Sequence, residues 1–91
     1  MNKGYVRIVI EELEGLRANL YLAKRTKDGR SREKNIREAK LAISNYAAGL
    51  TNDIRGFLDT EVDANALSFK WADGDIDRCI RALKDWLVSQ I

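Results

Sequence analysis

The sequence predicts an all-α protein: an antiparallel helical hairpin with a third helix packed across it, and a fourth if the second helix breaks. Three observations carry this. The 91 residues contain no proline, apolar residues recur at steps of three and four, and polar stretches with turn-forming residues separate the resulting stripes. A chain of this length forms one domain with a modest core, here taken as residues 1–91.

The first stripe is Val6, Val9, Leu13, Leu16, Leu20 and Ala23, which predicts a helix over about residues 5–25. The β-branched residues between Tyr5 and Ile10 favour a strand locally, but the stripe runs on into Leu13 and Leu16, and that decides for helix.

The second stripe is longer: Ile36, Ala39, Ile43, Tyr46, Leu50, Ile54 and Phe57, a helix over about 32–58 with Ser31 as the expected N-cap. Unbroken, it would be roughly 40 Å long at 1.5 Å per residue, against a diameter of about 30 Å for a compact chain of this size. "AAGLTND" at 47–53 offers a break, with Gly49 in a left-handed cap and Thr51 or Asn52 starting a new turn. The alternatives are a kinked continuous helix, or a projecting end that a second copy covers.

Residues 59–72 lose the helical spacing and then alternate at Leu67, Phe69 and Trp71, which reads as a connecting loop with a short extended piece. "FKW" at 69–71 reads as core anchoring. The last helix, about 74–90, has Asp73 as its expected N-cap, with Asp75 and Asp77 in the first turn, where the helix dipole favours negative charge. Its stripe is Ile76, Ile80, Leu83, Leu87 and Ile91, widened by Cys79 and Trp86. Gly15 and Gly56 fall inside helical patterns, where glycine costs about 1 kcal/mol against alanine. A close helix approach, within the chain or between two copies, would offset that cost.

Composition narrows the function classes. At 45% hydrophobic and 33% charged residues the chain is of the folded type. No apolar run is long enough to span a membrane, and the first residues lack a secretory leader pattern, so a cytoplasmic location without membrane partners is expected. Cys79 stands alone and there is no histidine, which removes internal disulfides and the usual zinc ligand sets. The same lack leaves no general base to activate a nucleophile, and the glycines are too dispersed for a phosphate-cradling loop. No enzymatic activity, cofactor or metal site is expected. Asp73, Asp75 and Asp77 resemble the opening of a calcium loop only superficially, since Arg78 and Lys84 stand where that loop needs glycine and glutamate. Glu11, Glu12 and Glu14 lie at helical spacing from Arg7 and Arg17, an arrangement of ordinary surface ion pairs.

The charge is segregated. The net charge is +2, but residues 24–40 hold eight basic and three acidic groups and residues 41–91 five basic and eight acidic. The segment "KRTKDGRSREK" at 24–34 concentrates the positive end. Arg30, Arg32 and Lys34 crowd a helix start, where the dipole opposes cations by roughly 0.3–1 kcal/mol each, and Glu33 offsets part of that. A solvated turn is the ordinary reading of such a stretch. The functional one makes Lys24, Arg25, Lys27, Arg30, Arg32, Lys34 and Arg37 a contact surface for a partner or for phosphate, the helix N-terminus adding its N–H groups, with Tyr21 as a candidate stacking surface.

The sequence therefore supports a small non-enzymatic protein-binding module, a regulator, inhibitor or adaptor acting through helical surfaces as a homodimer. The alternative is a nucleic-acid-binding regulator using the basic segment 24–40, with salt-dependent contacts to the backbone. A third arrangement sets the basic loop of one chain against the Asp73–Asp77 cluster of another.

Overall fold

The computed structural model describes residues 1–62 and 73–91. The fold is all-α, with α1 (Lys3–Lys24), α2 (Gly29–Ala48), α3 (Asn52–Val62) and α4 (Asp73–Ser89) forming a small helical bundle. Helix α1 is central: α2 and α4 both pack on it, and α3 packs on α4. Hydrogen bonds joining Lys3 to Gln90 and Arg17 to Asp77 show that α4 runs antiparallel to α1. The molecule is 46 Å long and about 20 Å across, with a radius of gyration of 13.6 Å. Among the described residues no helix is long and apolar enough to cross a membrane.

The first two helices begin where a side chain satisfies otherwise unpaired N–H groups. At α1 that residue is Asn2, whose Oδ1 accepts from the Tyr5 N–H at 2.9 Å, so the helix starts two residues before the expected Tyr5. At α2 it is Asp28 rather than Ser31. The Asp28 carboxylate accepts from the Ser31 N–H at 3.0 Å, and its carbonyl accepts from the Arg32 N–H at 2.8 Å. A carboxylate is the stronger acceptor for this role and attracts the positive end of the helix dipole, so the helix gains its first turn from Gly29 and Ser31 becomes a donor within it.

The long second stripe is divided. Gly49 and Leu50 close α2 with tight bonds to the carbonyls of Tyr46 and Ala47, and the Thr51 carbonyl accepts from the Arg55 N–H to open α3. The Asp53 carboxylate accepts from the Thr51 hydroxyl and, at 2.9 Å, from the Ile54 N–H. The Thr51 bond above all holds the Asp53 carboxyl below the usual range. Gly49 does not take the expected left-handed cap: its φ is −88° and ψ 0°, a right-handed conformation open to any residue. The break thus comes from the Thr51–Asp53 start signal, and two helices carry the second stripe in place of one continuous helix.

Helix α3 also extends past the expected end of its stripe. Residues 59–62, read as loop, complete its last turn because Leu58 and Val62 continue the buried row from Leu50 and Ile54. The expectations for Leu67 and for "FKW" at 69–71 lie outside the described residues.

The core gathers Val6, Val9, Leu13 and Leu20 of α1, Ile43 and Ala47 of α2, Ile54 and Leu58 of α3, and Ile76, Cys79, Ile80 and Leu83 of α4. Leu16, Trp86 and Leu87 pack at its edge, and Ile91 is fully exposed. Outside its own helix, a Cβ added at Gly15 or Gly56 would meet no described residue within 4 Å, so neither glycine serves a close approach between described helices.

Candidate functional site

The basic residues occupy the turn between α1 and α2 and the first three turns of α2. The turn itself is fastened. Asn35 Nδ2 donates to Thr26 Oγ1 at 3.2 Å, and Arg32 Nη1 reaches the Thr26 carbonyl at 3.5 Å. Arg32 is thereby partly engaged in holding the hairpin. Lys24 sits over the Tyr21 ring, with its Nζ 5.8 Å from the centroid. Lys34 lies 4.0 Å from Glu38, both side chains well exposed, a geometry that contributes little.

Arg25, Lys27, Arg30 and Arg37 are exposed and make no ion pair with any described residue. Arg30, Lys34 and Arg37 stand at i, i+4 and i+7, so they share one face of α2 and form a row of cations. None of the first half of α2 is buried: its buried residues are Ile43, Ser44 and Ala47. The structure thus brings most of the seven candidates together at the hairpin tip, sets Arg32 apart, and leaves the row on α2 turned outward.

Two expected features of a phosphate site are not provided. The N-terminus of α2 already holds an anion, because the Asp28 carboxylate accepts from the Ser31 backbone, and this bond keeps the Asp28 carboxyl below its ordinary range. Tyr21 is not a free stacking surface either. Its hydroxyl donates to Asp77 Oδ2 at 3.0 Å, an interaction that pushes the phenol's pKa up, while Lys24 covers its ring.

The aspartates of α4 have separate duties. Asp77 accepts from Arg17 Nη1 at 2.9 Å as well as from Tyr21, tying α4 to α1. Asp75 is buried and paired with Arg78 one turn on. Asp73 is the first residue of α4. Asp77 thus adds a tertiary pairing to its place near the start of α4, and the arrangement in which another chain's basic loop meets this cluster finds Asp75 and Asp77 already engaged. Among the described residues no group of three metal-ligating side chains exists. Glu14 likewise bridges helices, 3.9 Å from Arg17 and 3.6 Å from Lys84 of α4, where the sequence suggested only pairs along one helix.

Cys79 is buried, and burial pushes its thiol up to about 11, far from the thiolate a nucleophile needs.

Sequence reasoning missed a second surface. Between α3 and α4 lies an open groove of about 530 Å³, with the half-buried rings of Phe57 and Trp86 and the charged groups Glu61, Arg78, Arg81 and Asp85 along it. Only the crossing of two helices creates it. Trp86, noted as widening the last stripe, was the available signal.

Comparison with known proteins finds no matching family model, no matching curated protein and no matching solved structure.

Proposed function

We propose that the chain is a non-enzymatic protein-binding module, working as a homodimer, whose basic hairpin tip docks an acidic surface of a partner protein. The observation that supports this reading is the outward row Arg30, Lys34 and Arg37, joined at the turn by Arg25 and Lys27. Arg30 is carried in the first turn of α2, where the helix dipole disfavours it, and among the described residues only Lys34 of the five lies within ion-pair distance of a carboxylate, Glu38 at 4.0 Å. Such a surface accelerates encounter with an acidic partner and fixes its orientation. The buried, poorly ionised Cys79 and the absence of histidine agree with a role without catalysis.

The same row supports a second reading, in which nucleic acid takes the place of the acidic protein. The occupied α2 N-terminus and the engaged Tyr21 weigh against it, because backbone N–H groups and stacking rings are the usual supplements to such a grip.

Fluorescence anisotropy separates the two readings. The chain is titrated into a labelled acidic polypeptide and into labelled double- and single-stranded nucleic acids, at low and near-physiological salt, beside the variant Arg30→Gln/Lys34→Gln/Arg37→Gln. Binding to the polypeptide that weakens at least about tenfold in the variant supports the protein partner, since three charge contacts at ~0.5–1 kcal/mol each amount to that much or more. Preferential binding of nucleic acid, with a steep salt slope reduced in the variant, supports the second reading. Equal behaviour of wild type and variant on every ligand contradicts both.

A further inference from the structure

The row Arg30, Lys34 and Arg37 has edges and an end. Glu33, three residues after Arg30 and four before Arg37, lies along one side of it, and Glu38, four residues after Lys34, lies along the other. Glu33 is exposed and makes no ion pair with any described residue. Glu38 stands 4.0 Å from Lys34, with both side chains well exposed. The positive strip is therefore one side chain wide. One turn beyond Arg37 the same row continues into Leu41, which is 43% exposed. A lone exposed leucine is ordinary on a protein surface, but this one sits where the cations stop.

Width and spacing select the occupant. A broad polyanion, such as a flat acidic surface or a nucleic-acid duplex, brings negative charge over Glu33 and Glu38 as well as over the cations, and the like charges offset the gain. A narrow ridge of carboxylates meets the cations alone. From Arg30 to Arg37 the row rises about 10 Å at 1.5 Å per residue. Carboxylates at i, i+4 and i+7 of a second helix repeat that distance, whereas three successive same-face side chains of a strand span about 13 Å. An apolar side chain one turn further along the ridge then meets Leu41.

We infer that this face of α2 docks an amphipathic helix of a partner protein, one that carries a single-file row of carboxylates ending in an apolar side chain. This rests on the acidic partner of the proposed function and specifies its form. Glu33 and Glu38 disfavour wider anions, and Leu41 gives the docked helix an apolar foothold at the end of the row.

The test uses two labelled alanine-based peptides of about 20 residues, long enough to hold a helix in water, and a labelled DNA duplex. In one peptide, three glutamates at i, i+4 and i+7 share a face and a leucine stands one turn beyond each end, so either direction of docking presents the same ridge. Its isomer has the same composition with the glutamates spread around the helix. Circular dichroism checks that the peptides are equally helical and that Leu41→Ala and Glu33→Gln/Glu38→Gln keep the fold. By fluorescence anisotropy, wild type is expected to bind the one-face peptide about fivefold or more tightly than the isomer, which keeps one of three charge contacts. Leu41→Ala should weaken the one-face peptide by about threefold. Glu33→Gln/Glu38→Gln should narrow the preference, because the isomer's off-row carboxylates no longer meet like charge. Equal binding of the two peptides by wild type, or a preference that neither variant moves, overturns the inference and leaves the acidic partner standing. Binding of neither peptide beside binding of the acidic polypeptide does the same. Duplex binding tighter than that of the one-face peptide overturns both the inference and the acidic protein partner.

Discussion

Leu83→Ala should cost about 2–5 kcal/mol of folding free energy, the range for truncating a fully buried leucine and leaving part of its volume empty. Leu83 is 0% exposed and lies on α4, the helix that packs against both α1 and α3, so its loss loosens two contacts at once. A domain of this size is stable by roughly 5–14 kcal/mol in total, and the midpoint of thermal unfolding should fall by about 10 °C or more. Leu22→Ala serves as the comparison. Leu22 is 63% exposed, and its truncation should change stability by no more than about 0.5 kcal/mol. Urea unfolding of the two variants checks this. Equal losses would mean that α4 is not seated as described.

The second large effect runs in the opposite direction. Gly15→Ala and Gly56→Ala together should stabilise the chain by about 2 kcal/mol, since each removes a glycine from a helix interior at about 1 kcal/mol. Both positions are exposed, and outside its own helix a new methyl group meets no described residue within 4 Å. The same substitutions probe assembly. If a second copy packed closely on either glycine, alanine would weaken that dimer, whereas glycines that face open space predict stabilisation with no change in mass. Thermal unfolding and sedimentation of the double variant read both quantities.

The apolar periodicity was sufficient for most of the fold. Val6, Val9, Leu13 and Leu20, and likewise Ile76, Ile80 and Leu83, are buried as their spacing requires, because a helix that must bury one face records that face in every third or fourth residue. Helix boundaries were less legible, for a reason visible at Asp28 and Ser31. Both are good caps three residues apart, and the choice depends on which carbonyl and side chain reach the same turn. The break at 49–51 was signalled by glycine but made by Thr51 and Asp53, whose side chains bond each other and the first turn of α3. What no periodicity records is pairing between helices: Asp77 with Arg17 and Tyr21, Glu14 with Lys84, and the groove between Phe57 and Trp86. These follow from packing, and each residue alone looks like an ordinary surface charge or stripe edge.

The basic tip lies between these cases. Its composition was plain in the sequence, and the structure sorts its members. Arg32 leans on the turn, Lys24 covers Tyr21, and Arg30, Lys34 and Arg37 project from α2. The proposed docking surface requires that the three outward cations serve something other than the fold.

That claim is tested most directly by the unfolding free energy of Arg30→Gln/Lys34→Gln/Arg37→Gln, measured by urea titration against wild type. Glutamine has nearly the helix propensity of lysine and arginine, the one ion pair lost is exposed, and the helix start is relieved of an unfavourable charge. Stability within about 1 kcal/mol of wild type is the predicted result, leaving the charges available for a partner. A loss of about 3 kcal/mol or more would show that these side chains hold the hairpin together, and would contradict the assignment of the tip as a contact surface.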